Sequence, residues 1–151
     1  MNTNSLLPWQ QRFVLLMCAL LSFGAAQAQS LSLTPPEAQT KLQAGELILI
    51  DIRTPEEWRD SGTAPNAQRI NLQDPNGATG FAVKVLDAVH GDKTAPIAVI
   101  CRTGSRSSYA QRYLVKQGFS NVFNIPEGMI GSSAGPGWIE RGLPMKACSD
   151  C

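Results

Sequence analysis

The sequence predicts an α/β domain with a central, mainly parallel β-sheet flanked by helices on both faces. Three observations lead there. Short, uninterrupted apolar runs such as Pro96-Ile97-Ala98-Val99-Ile100 read as strands covered on both sides. Helix-start signatures and apolar positions at 3.6-residue spacing alternate with those runs. No tight hairpin connection joins one strand run directly to the next, as a parallel arrangement requires.

Each element follows from local chemistry. Thr34-Pro35-Pro36-Glu37 supplies a capping threonine, a proline in the first turn and a glutamate three residues on, and so opens a helix. Ala38 and Leu42 mark its inner face and Gly45 its end. Leu47-Ile48-Leu49-Ile50 is a buried strand, closed by Asp51-Ile52-Arg53. Thr54-Pro55-Glu56-Glu57 repeats the capping signature and opens a short helix carrying Trp58. Gly62 to Ala67 is a turn-rich connector, Arg69 to Leu72 a short strand, and Asp74-Pro75-Asn76-Gly77 a break. Phe81, Ala82, Val85, Leu86 and Val89 form a helix face that ends near Gly91. The Pro96–Ile100 strand follows. Beyond a loop, Tyr109, Ala110, Tyr113 and Leu114 give the next helix face, with Gly118 as its stop. Asn121 to Ile125 is the last strand, and the Gly- and Pro-rich remainder holds a short helix around Trp138.

The ends set the organisation. Residues 1–28 read as a removable export signal, with Arg12 the sole side-chain charge. The apolar stretch from Phe13 to Phe23 is shorter than the roughly 20 residues that span a bilayer. Ala26-Gln27-Ala28 supplies the small-x-small cleavage pattern. Cys18 lies inside that stretch behind a bulky Met17, and reads as signal filler rather than a lipid-attachment site. Cleavage near Ala28 sends the protein to the periplasm or outside the cell. A single domain over residues 29–146 and a short tail over 147–151 remain. Whole, the chain carries 13 Lys and Arg against 12 Asp and Glu. Loss of Arg12 balances the two, which excludes a nucleic-acid footprint and a polybasic membrane patch.

Chemistry concentrates at Cys101-Arg102-Thr103-Gly104-Ser105-Arg106, between a strand and a helix. A cysteine at a strand end is ordinarily an inert core residue. Here the five residues after it are polar, small or cationic, poor company for packing. A loop in this position can aim backbone N–H groups and the positive end of a helix dipole at the sulfur. Such surroundings favour the nucleophilic thiolate. Gly104 and the hydroxyls of Thr103, Ser105 and Ser107 suit a tight loop that donates inward. Asp51-Ile52-Arg53 ends another strand, and in α/β sheets such ends share a ligand crevice. His90, the single histidine, sits at a helix end before Gly91 and reads as an exposed residue. The tail Cys148-Ser149-Asp150-Cys151 admits three readings: an inert local disulfide or free tail, a redox partner for Cys101, and half of a metal site.

Taken together, the chain resembles the rhodanese family of sulfurtransferases, particularly its small, exported, single-domain members, over residues 33–146. Asp51-Ile52-Arg53-Thr54-Pro55-Glu56-Glu57-Trp58 is similar to the family's Asp-x-Arg-x-Pro-x-Glu-aromatic signature. Cys101 to Arg106 matches its six-residue active loop, and Gly135-Pro136-Gly137-Trp138 with Gly142-Leu143-Pro144 its C-terminal stretch. Two segments depart from the pattern. Gly62-Thr63-Ala64-Pro65-Asn66-Ala67 stands for the usual Gly-His-Ile-Pro-Gly-Ala, and Glu127 stands where a glycine is common.

The resemblance implies a rhodanese-like fold and transfer of sulfane sulfur through a persulfide on Cys101. The donor would be thiosulfate or a similar sulfur-containing anion. The acceptor would be cyanide or a thiol, with a periplasmic thiol protein among the candidates. It implies donor binding at Arg102, a sulfur cradle of backbone N–H groups from Arg102 to Arg106, loop closure by Arg106, and supporting roles for Asp51 and Arg53. No metal or organic cofactor is implied. Two rivals stand beside it. One is a module that carries a persulfide without turnover. The other is a cysteine-based phosphatase or arsenate reductase, which needs five residues between cysteine and arginine where this chain has four.

Overall fold

A computed structural model describes residues 31–151. The expected export signal over residues 1–28, with Cys18, lies outside the described residues.

Among the described residues, four strands and five helices alternate: α1 (Pro35–Gln43), β1 (Ile48–Asp51), α2 (Pro55–Ser61), β2 (Gln68–Arg69), α3 (Gly77–Ala88), β3 (Ile97–Ile100), α4 (Ser105–Lys116), β4 (Val122–Asn124) and α5 (Gly137–Glu140). Every pairing is parallel, in the order β2-β1-β3-β4. β1 and β3 are the central pair, with Asp51 level with Ile100. From β1 the chain moves outward to β2, then crosses back to β3 on the other side of β1. The carboxyl ends of β1 and β3 therefore flank a topological switch point, where such sheets hold their ligands.

The alternation of side chains along each strand divides the core in two. On one face Ile50, Ile52, Val99 and Cys101 pack with Phe81 and Val85 of α3 and Ala110 and Leu114 of α4. On the other, Leu49, Ala98 and Ile100 pack with Ala38 of α1 and Trp138 of α5. Helices thus cover both faces, as the apolar runs require. Among the described residues, no helix is long and apolar enough to cross a membrane.

Local signals act as expected at the first two helices. Thr34 and Thr54 both form capping boxes, with Glu37 and Glu57 returning to the cap N–H at 2.8 and 3.0 Å. Three expectations are corrected. The first strand begins at Ile48, and β2 is only Gln68–Arg69. Beyond β2, Ile70 and Leu72 still donate to the carbonyls of Asp51 and Ile52, so the chain stays alongside β1 without a regular ladder. The inner face of α4 is Ser107, Ala110, Gln111 and Leu114, whereas Tyr109 is exposed and stacks on Tyr113 with ring centroids 6.2 Å apart. The physical reason is that Gln111 is needed inside: its Nε2 donates to the carbonyls of Leu31 and Val122, tying β4 to the segment that precedes α1.

Candidate active site

Cys101 is the first residue after β3, and its thiol has no exposed surface. Polar groups nevertheless face it. The backbone N–H of Gly104 donates to Sγ at 3.1 Å and that of Ser107 at 3.4 Å, while the Ser107 hydroxyl lies 3.5 Å away. Ser107 Oγ also donates to the Gly104 carbonyl at 3.0 Å, which pins the loop across the first turn of α4. The sulfur thus meets the N-terminus of a twelve-residue helix, where free N–H groups and the helix dipole favour negative charge.

The loop needs glycine at Gly104. Its φ is 89°, and a Cβ there would run into the carbonyl of Pro126. The segment after β4 braces the loop from the other side. Met129 and Ile130 donate to the carbonyls of Cys101 and Arg102 at 2.9 and 3.0 Å, and Gly128 leaves no room for a side chain against the Arg102 carbonyl. Glu127 explains its own departure from the family pattern. Buried beside Gly135, its carboxylate accepts from Gly137 N–H at 3.0 Å and from two nitrogens of Arg141 at 2.7 and 2.9 Å. It thereby fastens the bracing segment to α5. In the connector, Asn66 adopts φ 64°, a left-handed conformation that asparagine tolerates in place of glycine.

Arg106 closes the loop. Its two terminal nitrogens reach the two oxygens of Glu57 at 2.8 and 2.7 Å, a fork-on-fork pair joining α4 to α2. That pairing holds the Glu57 carboxyl down at about 2 against the opposing push of burial. Arg106 is raised in turn, chiefly by Glu57, with a smaller contribution from the Cys101 sulfur. Asp51 and Arg53 build the floor. Arg53, 2% exposed, donates from Nε and Nη2 to Asp51, and from Nη1 and Nη2 to Glu57 O, Ser61 Oγ and Gly62 O. Every donor of that buried guanidinium faces an acceptor, which burial of a charge requires. Arg53 therefore binds the end of β1 to the middle and the C-terminal end of α2.

Arg102 is exposed, and with Arg53, Glu57, Asp60, Ser61 and Ile130 it lines a cavity of about 270 Å³ beside the loop. Cys101 itself is not part of that wall. Of the expected inward-facing hydroxyls, only Ser107 turns in; Thr103 and Ser105 are exposed. Of the loop amides from Arg102 to Arg106, that of Gly104 donates to Sγ, and the second donor is Ser107, just past the loop. The reason is helical: a residue six positions after the sulfur, one turn into α4, points its N–H back to the helix start. His90 is exposed, with φ 52°, beyond the end of α3. Cys148 and Cys151 form a disulfide, leaving Cys101 the free cysteine among the described residues.

The model of the rhodanese-like domain matches residues 34–132. A sulfurtransferase from Allochromatium vinosum is 32% identical over 102 residues, covering 68% of this chain and 80% of that protein. A rhodanese-like domain protein from Staphylococcus aureus aligns in structure with a TM-score of 0.53 and 25% identity, over 77% of this chain and 98% of that one. A protein from Rhodopseudomonas palustris described as a possible tyrosine phosphatase also shares the fold, with a TM-score of 0.55 and 19% identity, over 97% of this chain and 99% of that one. The matched domain spans both strand ends and the whole cysteine loop. The chain belongs to the rhodanese-like domain family.

Proposed function

We propose that this protein is an exported sulfurtransferase in which Cys101 carries the sulfur. The observation that carries the reading is the pair of backbone N–H groups aimed at a single sulfur, at 3.1 and 3.4 Å, inside a loop closed by Arg106 and Glu57. In the first half-reaction the Cys101 thiolate attacks the outer sulfur of thiosulfate or a similar anion. A sulfur–sulfur bond forms at Cys101, the donor's own sulfur–sulfur bond breaks, and sulfite leaves with the electron pair. In the second, cyanide or a thiolate attacks the terminal sulfur and the Cys101 thiolate is regenerated. Covalent storage splits one transfer into two easier ones. The Gly104 and Ser107 amides stabilise negative charge on sulfur at both stages without reorganising. Arg102 supplies cationic binding for the donor at the cavity mouth.

Four residues between Cys101 and Arg106 make a ring suited to one sulfur atom rather than to a tetrahedral phosphate. The test is incubation of the purified protein with thiosulfate, followed by peptide mass mapping and a parallel assay with p-nitrophenyl phosphate. One added sulfur on the Cys101 peptide, removed by cyanide as thiocyanate, is the expected result. Phosphate-ester turnover without sulfur uptake would replace the reading with the phosphatase one. Stable uptake without release to small acceptors would replace it with a carrier.

A further inference from the structure

The C-terminal tail forms a second sulfur centre. Cys148 and Cys151 are joined, with Cα atoms 5.6 Å apart, and the tail lies over the end of β2. There Nη1 of Arg69 donates to Cys148 Sγ and, at 2.9 Å, to Cys151 Sγ. The same guanidinium reaches the Asp150 carboxylate at 3.0 and 3.3 Å, so the arginine is held in place over both sulfurs. Arg59 anchors the chain end by donating to the Cys151 carbonyl at 2.8 Å. Beside the disulfide is a cavity of about 220 Å³, with Arg69 and Lys146 in its wall. A merely structural disulfide needs neither a fixed cation on its sulfurs nor an opening alongside.

This centre is separate from Cys101. Asp51, Arg69 and Ile100 are in register across β1, β2 and β3, so their side chains leave the same face of the sheet. Ile100 belongs to the core on that face, whereas the Cys101 thiol lies in the core on the other. Within one molecule the sheet stands between the two. A metal is disfavoured as well. The sulfurs and the Asp150 carboxylate lie within 4.8 Å of one another, but a guanidinium already touches all three and repels a dication.

We propose that Cys148–Cys151 is a thiol–disulfide exchange site that accepts electrons from an external dithiol, with Arg69 stabilising the departing sulfur. Cys151 is the more exposed of the two and Cys148 is buried. An incoming thiolate attacks Cys151 Sγ and forms a mixed disulfide; the Cys148–Cys151 bond breaks, and Cys148 leaves as a thiolate beneath Arg69. The second thiol of the reductant, giving up its proton, then attacks its own sulfur in the mixed disulfide. The reductant becomes a disulfide, Cys151 leaves as a thiol, and two electrons have entered the tail.

The test equilibrates the full purified protein and its Arg69→Gln variant in graded reduced and oxidised dithiothreitol, then alkylates and maps the cysteines. Arg69→Gln should require an about tenfold more reducing dithiol-to-disulfide ratio for half-reduction, the scale of one lost hydrogen bond to a charged sulfur. Sulfur loading of Cys101 by thiosulfate, read on separate samples of both proteins freed of dithiothreitol and not alkylated, should match wild type, which separates the effect from a folding defect. Glutathione, a monothiol that cannot resolve the adduct intramolecularly, should be found on Cys151 with Cys148 alkylated when the exchange is quenched early by rapid alkylation. Equal half-reduction ratios in the two proteins, a tail that stays oxidised in excess dithiothreitol, or glutathione found on Cys148 would each overturn the proposal.

Discussion

At Cys101 two opposing demands meet: the sulfur is fully buried, yet its proposed role as sulfur carrier needs negative charge. Burial among apolar groups alone would disfavour that charge. The Gly104 and Ser107 amides offset it, and each is a donor that α4 cannot satisfy within its own first turn. Cys101→Ser keeps the shape and removes the sulfur. It should abolish cyanide-removable sulfur uptake while leaving the urea unfolding midpoint near wild type; residual uptake would move the nucleophile elsewhere. Arg102 poses a different question, because it is exposed and touches the cavity rather than the sulfur. Arg102→Ala should raise KM for thiosulfate by about tenfold, the scale of one charge-assisted hydrogen bond, with little change in kcat. A fall in kcat at constant KM would instead place Arg102 in the transition state.

Between elements, the decisive contact is the Glu57–Arg106 pair, which ties the first turn of α2 to the first turn of α4. Glu57 serves two ends at once, since the oxygen that completes the Thr54 capping box also accepts from Arg106. Glu57→Gln keeps the side-chain length and removes the charge. It should lower stability by about 1–2 kcal/mol, a modest figure because both partners remain partly wet. Sulfur loading should slow in parallel, as the loop loses its clamp. An unchanged urea midpoint would show that the pair holds nothing. Gly104→Ala is the harsher change, forcing a side chain into a left-handed conformation against Pro126; a loss of about 2–4 kcal/mol is expected. Half of this was legible in the chain. The threonine caps and the strand-to-helix cysteine are local patterns, readable within a few residues, whereas the closing arginine was legible only through the family resemblance. Glu57 reads as a cap glutamate and a signature residue, but its pairing with Arg106, 49 residues away, leaves no trace in the spacing. Glu127 has the same history: as a sequence departure it looks like a misfit, and only its buried pair with Arg141 gives it a purpose.

For the whole molecule, two acid–base pairs join the parts that surround the loop, and both carry a signature in pH. Glu57 connects α2 to α4, and Glu127 connects the segment after β4 to α5. Arginine hydrogen bonds lead in holding both carboxyls below their ordinary 4.5, Glu57 down to about 2, with burial opposing in each case. Carboxylates depressed in this way bind fewer protons in the folded protein than in the unfolded chain. Stability therefore rises with pH across the interval. The contribution is complete above the ordinary carboxylate value and is lost as pH falls through the folded one, toward about 2 for Glu57. Urea unfolding followed from neutral pH downward should show a flat midpoint until roughly pH 5, then a progressive fall. Glu57→Gln removes one of the titrating groups, so its curve should start lower and descend less steeply. Both effects should survive Arg69→Gln, because neither pair touches the tail. A midpoint that held or rose on acidification would mean that the pairs contribute nothing to the fold, and that packing of the two apolar faces alone sets the position of the cysteine loop.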